Sequence, residues 1–178
     1  WSGIDVLLPF IARWSARAED EGLRRAFLRS TKYAFAGSAL AAIVFVAHGR
    51  WLIARWVGPD LAIDGRLLAV FAFMLLTASP IHTAALVLAG MGRHRAPAVG
   101  GAVEAALNLA LSLALVRPLG MIGVALGTAI SGALTNAWVA PRAACAELGI
   151  GLAAYVRGAL APALPPALLA GGLALAAG

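Results

Sequence analysis

The longest stretch of the chain without a charged side chain is Leu67–Gly92, which runs for 26 residues. A helix needs about 20 mostly apolar residues to cross the hydrocarbon core of a membrane. Four other stretches approach or exceed that length with at most one charge each: 33–49, 97–116, 118–141 and 158–178. Only 12% of the chain is charged, whereas a soluble domain carries roughly 25% charged residues. This pattern excludes a soluble enzyme, a disordered chain and a disulfide-stapled secreted module, and it predicts an integral membrane protein.

The uncharged stretches predict an all-α fold, a polytopic transmembrane helix bundle. A partial span is expected at residues 1–12, followed by a charged loop at 13–32. Because the chain begins and ends inside apolar segments, we expect residues 1–178 to form one helical bundle that is part of a longer protein. The full spans are predicted at residues 33–56, 67–90, 97–116, 119–140 and 158–178.

Basic residues are distributed unevenly between the two sets of alternate loops. Ten of the fourteen lie in the segments 13–32, 93–97 and 142–157, and four lie in the opposite set. Cytoplasmic loops of membrane proteins carry an excess of lysine and arginine, so the segment 13–32 is predicted to be cytoplasmic. Short basic loops between apolar runs do not make the basic face that nucleic-acid binding requires. No nucleic-acid partner is therefore expected, in spite of the net charge of +6.

The charged segment 13–32 has the pattern of an amphipathic helix. Acidic residues at 19–21 precede four basic residues between 24 and 32, an order that the helix dipole favours. The apolar positions Leu23, Phe27 and Leu28 suit the membrane interface. A solvated connector is an equally good interpretation of the same segment.

A polar stripe runs along the span 97–116. Glu104, Asn108 and Ser112 recur every four residues, so they lie on one face of a helix. A carboxylate at membrane depth costs roughly 2.5–3.5 kcal/mol on insertion scales and normally faces a bundle interior or a wet cavity. Glu104 is therefore the leading substrate-pathway candidate, with a proton or cation as the charge it would bind. The alternative is that its side chain reaches up to the nearby loop.

Small residues and one proline mark candidate packing and hinge positions. Gly123, Gly127 and Ser131 share one stripe of the span 119–140, and such stripes let helices approach closely. Their packing role is the preferred interpretation, and a sliding seam between helices is the functional one. Pro80 lies in the middle of the span 67–90, where it frees a carbonyl and bends the helix. A hinge and a tolerated kink are equally good interpretations of Pro80.

Enzyme chemistry finds little support in the sequence. The chain contains no HExxH, no GxSxG and no glycine-rich phosphate loop. Cys145 is the only cysteine, which excludes an internal disulfide and a CxxC redox pair. His82 has no partner spacing that would support a metal site. We expect no enzymatic activity, no metal and no cofactor.

The order of these motifs resembles the C-terminal half of bacterial polysaccharide flippases. These belong to the multidrug/oligosaccharidyl-lipid/polysaccharide exporter superfamily. The glycine-rich run at residues 119–130 is the most telling part, and Gly92–Arg95 supports it. The resemblance covers roughly residues 5–140 and rests on these segments in order: AEDEGLRRAFLRSTK, ARWVGPDL, LVLAGMGRHR, EAALNLALSLALV and PLGMIGVALGTAIS.

The resemblance implies the C-terminal six-helix bundle of a transporter with about twelve to fourteen helices in two pseudo-symmetric bundles. It implies a multi-pass protein of the bacterial inner membrane that moves an undecaprenyl-diphosphate-linked oligosaccharide by alternating access. Membrane lipids and a glycan polymerase or glycosyltransferases of the pathway are the implied partners. Arg50 and Arg55 are candidates to pair with the diphosphate, or they anchor the helix at the interface. The alternatives are a drug/cation antiporter of the same superfamily and a membrane enzyme of the same glycan pathway.

Overall fold

A single long helix opens the described part of the chain. The computed structural model describes residues 20–58 and 64–163, together with residues 11, 13 and 165. Helix α1, Asp20–Val57, joins the charged amphipathic segment to the first full span without a break. No proline interrupts these residues. The helix ends where Gly58 adopts a φ of +119°, a conformation that residues with a Cβ rarely adopt.

Four further helices of at least twelve residues follow, separated by short connections. Asp64 starts the first of them by accepting a hydrogen bond from the backbone N–H of Arg66 at 2.9 Å, which satisfies one free donor of the helix terminus. These helices are α2 (Gly65–Gly90), α3 (Arg95–Leu119), α4 (Met121–Leu134) and α5 (Asn136–Glu147). The described chain then continues with α6 (Leu152–Tyr155), a π-helical turn (Val156–Leu160) and a 3₁₀ turn (Ala161–Ala163).

Within the described residues, four helical stretches are long and apolar enough to cross a membrane. They are Glu21–Val57, Gly65–Gly90, Arg95–Leu119 and Met121–Glu147, the last of which contains both α4 and α5. The described residues form helices and their connections, without a strand. The described part of the chain is thus all-helical, as expected, and compatible with a membrane helix bundle.

Two predicted spans differ in detail from the observed helices. The span 119–140 is divided by a one-residue interruption at Thr135 and continues to Glu147. The span 33–56 is the second part of the longer α1. The predicted spans 1–12 and 158–178 lie mostly outside the described residues.

Helix α2 is the central element of the bundle. It packs along α1 on one side and contacts α4 and α5 on the other, while α3 packs against α4 and α5. No described helix covers the far side of α3, and Leu109 and Leu113 are each 64% exposed there. Apolar side chains can face lipid without penalty, so this exposure suits a membrane environment.

The three segments predicted to share the basic side of the membrane lie together in the structure. Nε of Arg24 on α1 donates a hydrogen bond to the carbonyl oxygen of Leu148 at 2.5 Å. Nε of Arg93, between α2 and α3, lies 3.3 Å from Oε2 of Glu147 on α5. We call this region, with Arg95 at the start of α3, the basic end of the bundle. That it faces the cytoplasm stays a prediction from the charge distribution.

An apolar core lies just inside the basic end. Leu23 and Phe27 of α1 are buried in it, with 1% and 0% exposure. The ring of Phe27 stacks on that of Tyr155, with centroids 5.2 Å apart, and burial raises the pKa of the Tyr155 phenol. The expectation that Leu23 and Phe27 lie at the membrane interface is therefore wrong, because α2, α5 and α6 cover that face of α1. Leu28 is half-buried and packs against the same core.

Pro80 lies inside α2, and nearby hydroxyl groups bond to the carbonyls around it. Its missing N–H leaves the carbonyl of Leu76 without the usual helical donor. The hydroxyl of Ser79 donates to that carbonyl at 3.5 Å. Oγ1 of Thr83 donates to the carbonyls of Ser79 and Pro80 at 3.1 Å and 3.2 Å. These bonds support the backbone where the helix is weakest.

A buried hydroxyl pair ties this part of α2 to α1. Oγ1 of Thr83 lies 3.0 Å from Oγ1 of Thr31, and both residues are fully buried. We expect Thr83→Val to lower the free energy of unfolding by about 1 kcal/mol and to show a coupling of about 0.6 kcal/mol with Thr31→Val. The measurement is a double-mutant cycle of unfolding in detergent.

The matched control for that cycle is Thr77→Val. The hydroxyl of Thr77 donates to the carbonyls of Phe73 and Met74 in its own helix. We therefore expect no coupling between Thr77→Val and Thr31→Val. Equal coupling for both pairs would show that the Thr31–Thr83 contact has no specific role.

Candidate functional site

Helix α3 turns its polar stripe toward α4 and α5, and glycines allow the close approach. A Cβ at Gly127 would lie 2.5 Å from Oγ and 2.8 Å from the backbone nitrogen of Ser112. A Cβ at Gly123 would collide with the carbonyl oxygen of Leu115. Both glycines are buried. The small-residue stripe of α4 is thus the surface on which the polar stripe of α3 packs.

The inner part of the stripe forms a small hydrogen-bond network. Oδ1 of Asn108 accepts from Oγ of Ser112 at 2.9 Å and from Oγ1 of Thr128 at 3.2 Å. The Thr128 hydroxyl also lies 3.2 Å from the carbonyl oxygen of Val124, so it can donate to either acceptor. These contacts join α3 to α4 through polar groups in a region that is otherwise apolar.

Glu104 of α3 lies beside the junction between α4 and α5. Its Oε2 accepts a hydrogen bond from Nδ2 of Asn136 at 2.7 Å and a longer one from Oγ1 of Thr135 at 3.4 Å. A Cβ at Gly132 would lie 3.4 Å from Oε1. Glu104 lies in the middle of the third turn of α3, about 14 Å along the axis from Arg95. The bonds to α5 direct its carboxylate between the helices.

The surroundings of Glu104 contain hydrogen-bond donors and no basic group. Within residues 20–58 and 64–163, no lysine or arginine nitrogen comes within 4.0 Å of the carboxylate. The Nδ2 group of Asn136 is the close donor to Oε2, at 2.7 Å, and the Thr135 hydroxyl lies farther away at 3.4 Å.

The interruption at Thr135 helps to form this site. Thr135 has φ −118° and ψ −92°, which are outside helical values, and its hydroxyl donates to the carbonyl of Ser131 at 2.6 Å. Ser131 is fully buried, and its own hydroxyl donates to the carbonyl of Thr128 at 3.0 Å. The interruption places the amide donor of Asn136 beside Glu104, with the Thr135 hydroxyl 3.4 Å from the same oxygen.

Asn136 has one amide atom without a partner. Its Oδ1 is buried and makes no hydrogen bond, and it lies so close to Gly100 that a Cβ there would collide with it. A buried polar atom without a partner costs about 1–3 kcal/mol. The Asn136 amide therefore donates from Nδ2 to Glu104 while its own Oδ1 stays buried without a hydrogen bond.

The other sequence-predicted site residues lie apart from Glu104. Arg50 and Arg55 are exposed in the last two turns of α1, at the end of that helix opposite to Arg24. The guanidinium of Arg50 lies beside Gly65 at the start of α2, 3.2 Å from where a Cβ would stand. Pro80 lies in α2. The structure therefore brings together Glu104, Asn108 and Ser112 with the stripe of α4, and it leaves the two arginines elsewhere.

Sequence reasoning missed Thr128 and Asn136 as members of the site. Asn136 is the only amide in the uncharged stretch 118–141, which is the signal that could have found it. An amide in an apolar span is costly unless it has a partner, and Glu104 on the neighbouring span offers one.

The comparisons with known proteins do not identify a family for the chain. No family model, no characterised protein and no solved structure matches the chain. Among the described residues, no group of three or more His, Cys, Asp or Glu side chains could hold a metal ion.

Proposed function

We propose that the chain is part of a flippase of the polysaccharide exporter superfamily. Its substrate would be an undecaprenyl-diphosphate-linked oligosaccharide, moved across the bacterial inner membrane by alternating access for polysaccharide or lipopolysaccharide synthesis. The support is the order of motifs along residues 5–140 and a bundle with four helices long enough to span a membrane. Glycosyltransferases and a polymerase of the glycan pathway would supply and consume the substrate.

The observation that carries the proposal is the position of Glu104. A carboxylate inside an apolar span is costly, and here it lies between helices, held by donors on the far side of an interruption. Such a group can gain and lose a charge as the helices rearrange. Alternating access requires a coupling site that binds the coupling charge differently in each conformation. Glu104 would be that site.

The arginines at the far end of α1 are suited to binding the diphosphate of the proposed substrate. Arg50 and Arg55 are exposed on the last two turns of that helix. A guanidinium binds phosphate oxygens with two parallel hydrogen bonds. In the proposed flippase they would meet the diphosphate of the substrate near one face of the membrane.

Vesicle transport tests this proposal against the drug/cation antiporter. Inverted membrane vesicles carrying the full-length protein would be supplied with a lipid-linked oligosaccharide on the outer surface, and appearance of the glycan in the lumen would be measured. We expect translocation that depends on the protein. Drug efflux without glycan translocation would establish the antiporter and reject the flippase. Polymerised or acylated glycan without translocation would establish the membrane enzyme.

A further inference from the structure

A cavity at the basic end combines arginines with an apolar wall. It has a volume of about 450 Å³ and lies between the connection that joins α2 to α3 and the end of α5. Arg93, Arg95 and Glu147 line its charged part. Leu88, Ala96, Val99 and Ala143 line the rest. A pocket of this size lies within the range that small ligands occupy.

The charged side chains that line the cavity leave a net positive charge. Nε of Arg93 lies 3.3 Å from Oε2 of Glu147, so this pair is largely neutral. Arg95 is exposed at the first position of α3, and within the described residues it has no carboxylate within 4.0 Å. The lining therefore carries one uncompensated positive charge, and an anion is the ligand that would balance it.

The apolar wall shows where the rest of the ligand would lie. Helix α2 ends at Gly90 and α3 begins at Arg95, and both are long enough to cross a membrane; in a bundle that spans the membrane, the cavity between these helix ends would lie at the membrane surface. Val99 lies one helical turn deeper than Arg95 and is 57% exposed. The cavity is thus charged toward water and apolar toward the hydrocarbon. A phospholipid has the same arrangement, with a phosphate above an acyl chain.

We propose that this cavity binds an anionic phospholipid of the leaflet at the basic end. Arg95 contacts the phosphodiester, Arg93 supports it, and the first acyl carbons lie along Ala96 and Val99. Basic pockets between transmembrane helices are suited to anionic head groups, and each arginine near the surface contributes about 1 kcal/mol. The site is independent of Glu104, and it would bind lipid whether or not the protein is a flippase.

The test is a lipid titration of the full-length protein in detergent, followed by native mass spectrometry. The probes are phosphatidylglycerol, phosphatidylcholine and, as the soluble source of the same anion, inorganic phosphate. We expect phosphatidylglycerol to bind more tightly than phosphatidylcholine, and inorganic phosphate at millimolar concentration not to displace it. Displacement by phosphate would identify a phosphate site and overturn the lipid proposal, and so would equal binding of the two lipids.

Two single variants move the affinity in opposite directions. Arg95→Gln is expected to weaken phosphatidylglycerol binding about fivefold. Glu147→Gln is expected to strengthen it, because the change removes the one acid among the described lining residues and releases Arg93. A variant that merely disturbs the fold would weaken binding in both cases, so a loss with Glu147→Gln would contradict the proposal.

Arg25→Gln is the matched control for a general charge effect. Arg25 lies on α1 near the same end, is exposed and pairs with Glu21 at 3.6 Å, and does not line the cavity. We expect less than a twofold change in phosphatidylglycerol affinity. Equal losses with Arg25→Gln and Arg95→Gln would show that the lipid responds to the net charge of the surface and not to this cavity.

Discussion

Replacing Glu104 with alanine is expected to lower glycan export at least about tenfold, which corresponds to about 1.4 kcal/mol. The variant removes the charge that α3 presents between the helices. It also leaves the Nδ2 group of Asn136 without its 2.7 Å acceptor. If Glu104 binds the coupling charge, no neighbouring side chain can replace it, because the stripe otherwise contains only amides and hydroxyls. Surface glycan would be measured in cells with the level of the full-length protein held equal.

Glu104→Gln separates the charge of this residue from its hydrogen bonds. Glutamine keeps an oxygen that can accept from Asn136, but it cannot bind or release a proton. We expect the same loss of export as with alanine and a smaller effect on protein level. Glu21→Gln, at an exposed acid of α1, is the control and should export normally. Wild-type export by Glu104→Gln would show that Glu104 acts only through its hydrogen bonds.

The second large effect is expected where α3 and α4 come closest. A Cβ at Gly123 would overlap the backbone carbonyl of Leu115, and one at Gly127 would press on the backbone nitrogen of Ser112. Backbone atoms of a helix cannot move aside as a flexible side chain can. We therefore expect Gly123→Ala to lower the free energy of unfolding by about 3 kcal/mol, the upper part of the range for overpacked positions. Unfolding of the purified protein in detergent would measure it.

Gly101→Ala provides the matched comparison within α3. A Cβ at Gly101 would have no atom within 4 Å, and alanine is favoured over glycine in a helix by up to about 1 kcal/mol. We expect unchanged or slightly increased stability. If Gly101→Ala and Gly123→Ala destabilised the protein equally, the close packing of α3 on α4 would not be the cause.

The positions of α2 and α3 could be predicted from the sequence to within a few residues. The predicted span 67–90 corresponds to Gly65–Gly90, and 97–116 corresponds to Arg95–Leu119. This agreement has a simple cause, since a helix in lipid must be apolar on every exposed side. The absence of charge alone therefore marks its extent. The grouping of the basic segments at one end follows from the same alternation of spans and loops.

The interruption at Thr135 could not be predicted from composition. No glycine or proline stands there, and Pro141, which closes the uncharged stretch, lies inside α5. A proline disturbs the helix upstream of itself, through the carbonyl four residues earlier. That carbonyl belongs to Ala137, two residues after the interruption. The Thr135 hydroxyl bonds locally to the carbonyl of Ser131. The bond from Asn136 to Glu104 depends on packing that a single helix does not reveal.

For the polar stripe too, the sequence of a single helix predicts one part of the site and the packing of the bundle determines the rest. The spacing of Glu104, Asn108 and Ser112 was sufficient to place them on one face. Which helix that face meets depends on tertiary packing, and so do the partners Thr128 and Asn136. The prediction that Leu23 and Phe27 lie at the membrane interface was wrong for the same reason, because α2, α5 and α6 cover them.

The unbroken course of α1 has a mechanical consequence. Its 38 residues make a rod of about 57 Å, nearly twice the roughly 30 Å thickness of the hydrocarbon core. The rod is held near one tip by the bond from Arg24 to Leu148 and carries Arg50 and Arg55 near the other. Tilting such a rod by about 10° around one tip displaces the opposite tip by about 10 Å. A small tilt at the basic end of α1, together with the helix α2 that packs along it, would therefore produce a large displacement of the arginines at the far end.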